Sequence, residues 1–260
     1  MTASMAATPG NPAEASSAID VTTIPPISRE ESSALATAEY ARFTELVQQL
    51  RVDEFTLPTD CPEWDVRTMI VHQVGAGEGH ARWTEFFRQF ILGLRLAKGR
   101  EPVDGVNDFH LSERADWTAE RAVAALPDVQ ARAVQGRRKF PAALRLIPVS
   151  APGVKRFSIG FLFDVILTRD TWMHRVDITR TTGRPMVLTP EHDGRIVADV
   201  VADWARQHGQ PFVLHLGGPA GGDYRQGSGG SGLSLDAVEF CRTISGRENG
   251  AGLLAQHVVW

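Results

Sequence analysis

The chain has 260 residues, a mildly acidic formal net charge of −4, and an ordinary globular composition, 43% hydrophobic and 22% charged. Its evenly interspersed charge argues against a nucleic-acid partner or a polybasic hold on a membrane surface. No run approaches the roughly 18 uninterrupted apolar residues of a spanning helix.

Two cysteines, Cys61 and Cys241, stand far apart and outside any CxxC pattern, so no disulfide framework is expected and a cytoplasmic location is the default. The opening stretch MTASMAATPGNPAEASSAIDVTTIPPIS has neither a basic n-region nor an apolar core, and so does not read as a secretory signal. Rich in Ala, Ser, Thr and Pro, residues 1–29 read as a disordered lead-in.

From Glu30 to about Glu54 the apolar residues Leu35, Tyr40, Phe43, Leu46, Val47 and Leu50 recur every three or four positions, the pattern of one amphipathic helix. LPTDCPEW breaks it. Asp65 is a plausible N-cap for a second helix running through VRTMIVHQVGAGEGHARWTEFFRQFILGLRLAKG. A third helix is expected from about Thr118 to Lys139, disturbed by Pro127. After a proline-punctuated connection, a fourth runs from about Ser158 to Thr182, with Gly183 as its C′ residue. Four long helices point to a bundle over 30–184.

Beyond Gly183 the pattern changes. Thr189–Pro190–Glu191 has the form of a helix start and Gly209 that of its stop. PFVLHLGG reads as a strand, GGDYRQGSGGSG as a Gly/Ser-rich turn or loop, and LSLDAVEFCRTISGR as a strand end and short helix. GLLAQHVVW reads as a last strand or tail. Residues 185–260 thus form a small α/β domain, and the fold class is α+β.

Ionisable residues sit among apolar ones at two places in the bundle. His72 lies among Met69, Ile70, Val71 and Val74, followed by three glycines within five residues, Gly75, Gly77 and Gly79. Each glycine costs a helix roughly 1 kcal/mol relative to alanine, which implies close approach of another helix or a ligand. In TRDTWMHRVDITRTTGR, helical spacing places Asp170, His174 and Asp177 along one stripe.

If that stripe points inward, its charges must be paired or must hold a cation. His72, Asp170 and His174 would make a three-ligand divalent-metal site with an open fourth position, and Asp177 could orient a ligand. The competing reading is an exposed i,i+4 contact. His80 is a spare ligand, turned about 80° from His72 by eight residues of helix. His110, His192, His208, His215 and His257 read as surface or hydrogen-bonded residues. Cys61 reads as a packed thiol, and Trp64, Trp83, Phe86, Phe87 and Phe90 as core or interface. The glycine-rich GGPAGG and QGSGGSG lack the context of a phosphate-binding loop.

LPTDCPEWDVRTMIVHQVGAGEG, TRDTWMHRVDITRTTGRP and LDAVEFCRTISGR together resemble the mycothiol-dependent maleylpyruvate isomerase family, within the wider DinB-like metalloenzymes of actinobacteria. The pairing of W-x-V-R-x-x-x-x-H with R-D-T-W-M-H-R-x-D is the specific part. The resemblance implies a DinB-like four-helix bundle with a small C-terminal domain, and carries the metal ligands onto His72, Asp170 and His174. Known isomerases look to have glutamate where this chain has Asp170, one methylene shorter.

It further implies zinc as the divalent metal and mycothiol as thiol cosubstrate, its thiolate adding to a small electrophile in cis–trans isomerisation or S-transfer. Arg82 and Arg247 are the expected cationic groups for a carboxylate substrate and the sugar-bearing thiol. Hydrolysis by metal-bound hydroxide on the same bundle, and a non-catalytic binding or regulatory protein, remain the alternatives.

Overall fold

A computed structural model describes residues 18–150 and 154–260. In chain order its elements are β1 (Ile19–Asp20), α1 (Arg29–Gln48), α2 (Val66–Ala81), α3 (Trp83–Ala97), α4 (Pro102–Ser112), α5 (Ala119–Lys139), α6 (Ala142–Arg145), β2 (Pro148–Val149), β3 (Phe157–Ser158), α7 (Ile159–Phe161), α8 (Leu167–Thr182), α9 (Arg195–His208), β4 (Phe212–Gly217), β5 (Gly222–Gln226), β6 (Ser231–Asp236) and α10 (Ala237–Ile244). They fall into two compact units. The larger is Ser28–Val149 with Phe157–Met186; the smaller is Val187–Trp260 with the described residues of Met1–Ile27 and Ser150–Arg156. Among the described residues no helix is long and apolar enough to cross a membrane.

In the larger unit the helix starts follow local chemistry. Ser28 accepts from the Glu31 amide, Asp65 from Thr68 and Thr118 from Arg121, each satisfying a donor the helix cannot satisfy itself. Phe43 and Val47 of α1, Val66, Met69, Ile70 and Val74 of α2, Leu126 and Val129 of α5 and Ile178 of α8 form the main core. A second core joins Phe140, Ile159 and Phe163, with the rings of Phe140 and Phe163 4.3 Å apart. Pro127 lies inside α5 without ending it.

The chain enters α8 through a π-helical turn, Leu162–Ile166. Arg137, buried on α5, donates from Nε to the Phe163 carbonyl at 2.8 Å and from Nη2 to Thr168 Oγ1 at 2.8 Å, satisfying acceptors around the widened turn. Gly183 ends α8 in the left-handed conformation, at φ 67°.

Three expectations differ here. The first helix, expected to reach about Glu54, ends at Gln48, and Val52–Thr56 forms a separate 3₁₀ turn. The helix expected from Asp65 to beyond Leu96 is two, broken at Arg82, whose backbone is extended at φ −146° and ψ 134°. Neither proline nor glycine marks that break. The connection before Thr118 contains α4, started by Pro102 in its first turn. Gly93 of α3 and Gly105 of α4 let the two backbones touch: a Cβ on Gly105 would overlap the Gly93 carbonyl oxygen.

The smaller unit has a four-stranded sheet of order β1-β5-β4-β6, antiparallel between β4 and β5 and parallel at the other two pairings. Its core sets Trp204 of α9 against Phe212 and Phe240, at ring separations of 4.8 and 5.3 Å. Two expectations are corrected here. GGDYRQGSGGSG holds a strand, β5, because Tyr224 turns its side chain into the core while the strand's backbone pairs with β1 and β4; the turn itself is confined to Gly227, Gly229 and Gly230, all at positive φ.

The lead-in 1–29 is not disordered throughout. Ile19 pairs with Tyr224, and Asp20 caps a 3₁₀ turn, Val21–Thr23, that buries Val21. Residues 1–17 lie outside the described residues. GLLAQHVVW contains a 3₁₀ turn, Gly252–Ala255, and no strand.

Candidate metal centre

α2 and α8 bring His72, Asp170 and His174 together in the larger unit. His72 is 6% and His174 4% exposed, while the Asp170 side chain is 29% exposed. Suitably placed atoms of His72, Asp170 and His174 all lie within 4.8 Å of one another. The two imidazole rings stand edge to face with centroids 5.4 Å apart. Nε2 of His72 is 3.8 Å from Asp170 Oδ2, and Nε2 of His174 is 3.3 Å from Asp170 Oδ1. Trp64 covers both rings, at centroid distances of 4.8 and 5.9 Å.

The opposite nitrogens face the protein. His174 Nδ1 is 3.4 Å from Oδ2 of the fully buried Asp177, and His72 Nδ1 is 3.4 Å from Nδ1 of His110 on α4. Gln73 donates to Asp170 Oδ2 at 2.8 Å and accepts from Thr171 at 2.9 Å, which anchors the carboxylate. Burial opposes protonation of His174, but Asp170 and Asp177 outweigh it and hold its pKa up at about 9. His72 is pushed below the usual imidazole range by burial, against the pull of Asp170. Burial would raise Asp170, yet His174 and then His72 hold it well below the usual carboxylate range.

The donor set fits a divalent cation. Two Nε2 atoms and a carboxylate converge, their separations suit ligand bonds of about 2 Å, and each ring is held from behind through Nδ1. The two histidines are buried, and the partly exposed Asp170 marks the side nearer solvent.

His80 stands apart from this group. It is buried against Phe163, with ring centroids 5.6 Å apart, and burial first, then Arg137, lowers its pKa to about 3. Arg82 is exposed at the α2–α3 junction and lines an open cleft of about 860 Å³ whose lining includes none of His72, Asp170 and His174. Arg247 belongs to the smaller unit, where its Nη1 lies 3.4 Å from Ser245 Oγ. Cys61 is partly buried, with Sγ 3.9 Å from Asp177 Oδ2.

Three neighbours escaped the sequence reading: His110, placed among surface or hydrogen-bonded histidines, Gln73, and Trp64, read only as core or interface. The glycines after His72 were the available signal for His110, because they announce a close approach.

The family profile described as mycothiol maleylpyruvate isomerase N-terminal domain matches residues 36–179. The chain belongs to this enzyme family. Its fold is similar to a crystal structure of a histidine-to-alanine mutant of mycothiol-dependent maleylpyruvate isomerase, at 15% identity and TM-score 0.56, covering 93% of this chain and 100% of that one. A second crystal structure of mycothiol-dependent maleylpyruvate isomerase is similar at 16% identity and TM-score 0.55, covering 90% and 94%. No curated protein matches the sequence significantly. The matched segment contains α2 and α8, and with them His72, Asp170 and His174.

Proposed function

We propose that this protein is a thiol-using isomerase or S-transferase that holds a divalent cation, zinc, on His72, Asp170 and His174 and takes mycothiol as cosubstrate. One observation carries the reading: in a family named for mycothiol and maleylpyruvate, the Nε2 atoms of two buried histidines and a partly exposed carboxylate converge on one point. The bound cation would supply an open coordination position that favours the thiolate over the thiol at neutral pH.

The chain's own groups do the rest. Asp177 holds His174, and Gln73 holds Asp170, in the orientations ligation needs. Trp64 and the apolar face of α2 exclude water behind the site. In an alkene conjugated with a carbonyl, thiolate addition forms a C–S bond and moves the π pair onto the carbonyl oxygen. Rotation about the former double bond and expulsion of the thiolate give the trans isomer. If the electrophile instead carries a leaving group, that group departs with the electron pair and the thioether is the product.

The test combines metal content with turnover of maleylpyruvate, with and without mycothiol. Purified protein is expected to bind one divalent ion per chain and to turn over only with thiol. His72→Ala and His174→Ala should each lose the ion, while His80→Ala keeps it. Undiminished activity without thiol would replace this reading with hydrolysis on the same cation; no metal uptake at all would leave a scaffold without this chemistry.

A further inference from the structure

The glycines of α2 and the buried histidine of α4 lie outside the three ligands, yet they meet one another. A Cβ on Gly75 would stand 2.6 Å from the Cβ of His110, and one on Gly79 would overlap Oε1 of Gln89. Gly77 differs, since its missing Cβ makes room for Val129 Cγ1, at 2.6 Å. Two of the three glycines therefore admit polar side chains, and only one serves plain helix packing.

Those side chains form a directional chain. Gln89, 4% exposed on α3, has its Nε2 3.1 Å from the Gly75 carbonyl oxygen and 3.3 Å from Glu85 Oε1. A backbone carbonyl and a carboxylate only accept, so Gln89 Nε2 donates and the orientation of its amide follows. Oε1 of Gln89 then faces Nε2 of His110 at 2.9 Å and must accept from it. With its proton on Nε2, a neutral imidazole has a lone pair on Nδ1. That lone pair of His110 faces Nδ1 of His72 at 3.4 Å, so the His72 Nδ1 must carry a hydrogen. The His72 Nε2, on the side of Asp170, is left as a lone pair.

We propose that Gln89 and His110, seated in the gaps left by Gly79 and Gly75, are positioning residues that relay tautomer choice to His72 and keep its Nε2 open for ligation. The inference rests on the metal site proposed above. It makes the two ligand histidines unequal: His174 is oriented by an anion, Asp177, and His72 by a neutral relay anchored on the Gly75 carbonyl of α2 itself. The relay fixes geometry without adding negative charge beside the ligand.

The tautomers can be read without any metal, by ¹⁵N NMR of the metal-free protein with labelled histidine. The wild type should show His72 protonated on Nδ1 and His110 on Nε2. Gln89→Leu and His110→Leu should move His72 toward the Nε2-protonated form and weaken zinc binding about ten- to a hundredfold, measured by chelator competition. His110→Asn offers an amide oxygen near the former Nδ1 and should restore the His72 tautomer and most of the affinity. Gly79→Ala, which expels Gln89 while touching no ligand, should reproduce Gln89→Leu. Gly77→Ala should cost stability and leave the tautomers alone.

A wild-type His72 protonated on Nε2, or one unmoved in both Gln89→Leu and Gly79→Ala, would overturn the relay. Wild-type protein with the stated tautomers that takes up no divalent ion would sustain the relay and sink the metal reading. Zinc uptake with the wrong tautomer would do the reverse.

Discussion

His174 sits between two carboxylates. Its two ring nitrogens face two different carboxylates, Asp170 and Asp177, at 3.3 and 3.4 Å, and together they override burial to bring its pKa to about 9. His72, pushed down by burial, and Asp170, held well below its usual range, are both deprotonated near neutral pH. A cation binding at the proposed site at pH 7 would therefore displace a proton from His174 and from neither of the other two proposed ligands. The sign follows directly: as pH falls below about 9, His174 is protonated in the free protein, and proton and cation compete. Apparent zinc affinity should fall about tenfold per pH unit between roughly pH 9 and 7, and level off above pH 9. Calorimetry in buffers of different ionisation enthalpy should count about one proton released at pH 7.5. An affinity flat across that range would mean that His174 is already neutral, and would remove the role given to Asp177. Asp177→Asn, which keeps the shape and removes one charge, should shift the break to lower pH.

At the scale of elements, α2 is the axis around which the larger unit is built, and its contacts explain what local sequence could and could not announce. Its N-cap Asp65 and the apolar run from Val66 to Val74 are local signals, and helix formation there was legible. Its end at Arg82 was not: the residue caps nothing with its side chain, and the hydrophobic pattern continues across it. α4 was missed for a related reason. It packs on α3 through Gly93 and Gly105, and its fully buried positions, Gly105, Phe109 and His110, hold one large apolar side chain, too short a stripe to read. The same use of small residues recurs where α5 crosses α2. A Cβ on Gly136 would overlap the carbonyl oxygens of His80 and Ala81, which are backbone and cannot swing aside. Gly136→Ala should therefore destabilise the protein despite the better helix propensity of alanine, by on the order of 1–3 kcal/mol, the usual cost of overpacking. Urea unfolding would register a lower midpoint at unchanged slope. An unchanged or higher midpoint would show that α2 and α5 can separate at no cost there. The buried pair of Glu39 on α1 and Arg175 on α8, bonded at 2.7 and 3.0 Å, ties two further helices together. Glu39→Ala would take both of these charge-assisted bonds from a buried guanidinium and should cost about 3–5 kcal/mol by the same measurement. A loss below about 1 kcal/mol, the range of an exposed pair, would show that Arg175 reaches water or another partner once Glu39 is gone.

For the whole molecule, the change of pattern after Gly183 marked the passage from helices to a mixed α/β segment, and the compact units divide within a few residues of it, at Met186 and Val187. What the pattern hid was the discontinuity of the smaller unit, which takes in Ile19, Asp20 and Val21 from the other end of the chain. Those residues lie in a Ser/Thr/Pro-rich stretch, and their strand exists only because β5 offers an edge. The cluster was half legible for the same reason. Asp170 and His174 share a helix face, so periodicity alone pairs them. His72 is 102 positions from His174 in the sequence and meets it through the packing of α2 and α8, which no local pattern encodes. Because both helices belong to the larger unit, which has its own core, ligation should stabilise that unit specifically. A ligand bound only to the folded state adds about 2.7 kcal/mol at a hundred times its Kd, and protects the amides whose opening would break the site. Hydrogen exchange with and without saturating zinc should show slower exchange in α2 and α8, the helices that carry the proposed ligands, and in α4 behind His72. The amides of α9 and of β4–β6, whose core is made by Trp204, Phe212 and Phe240, should be unchanged. Equal protection in both units would show that they open as one cooperative body. Protection confined to α9 or the sheet would place the cation somewhere other than on His72, Asp170 and His174.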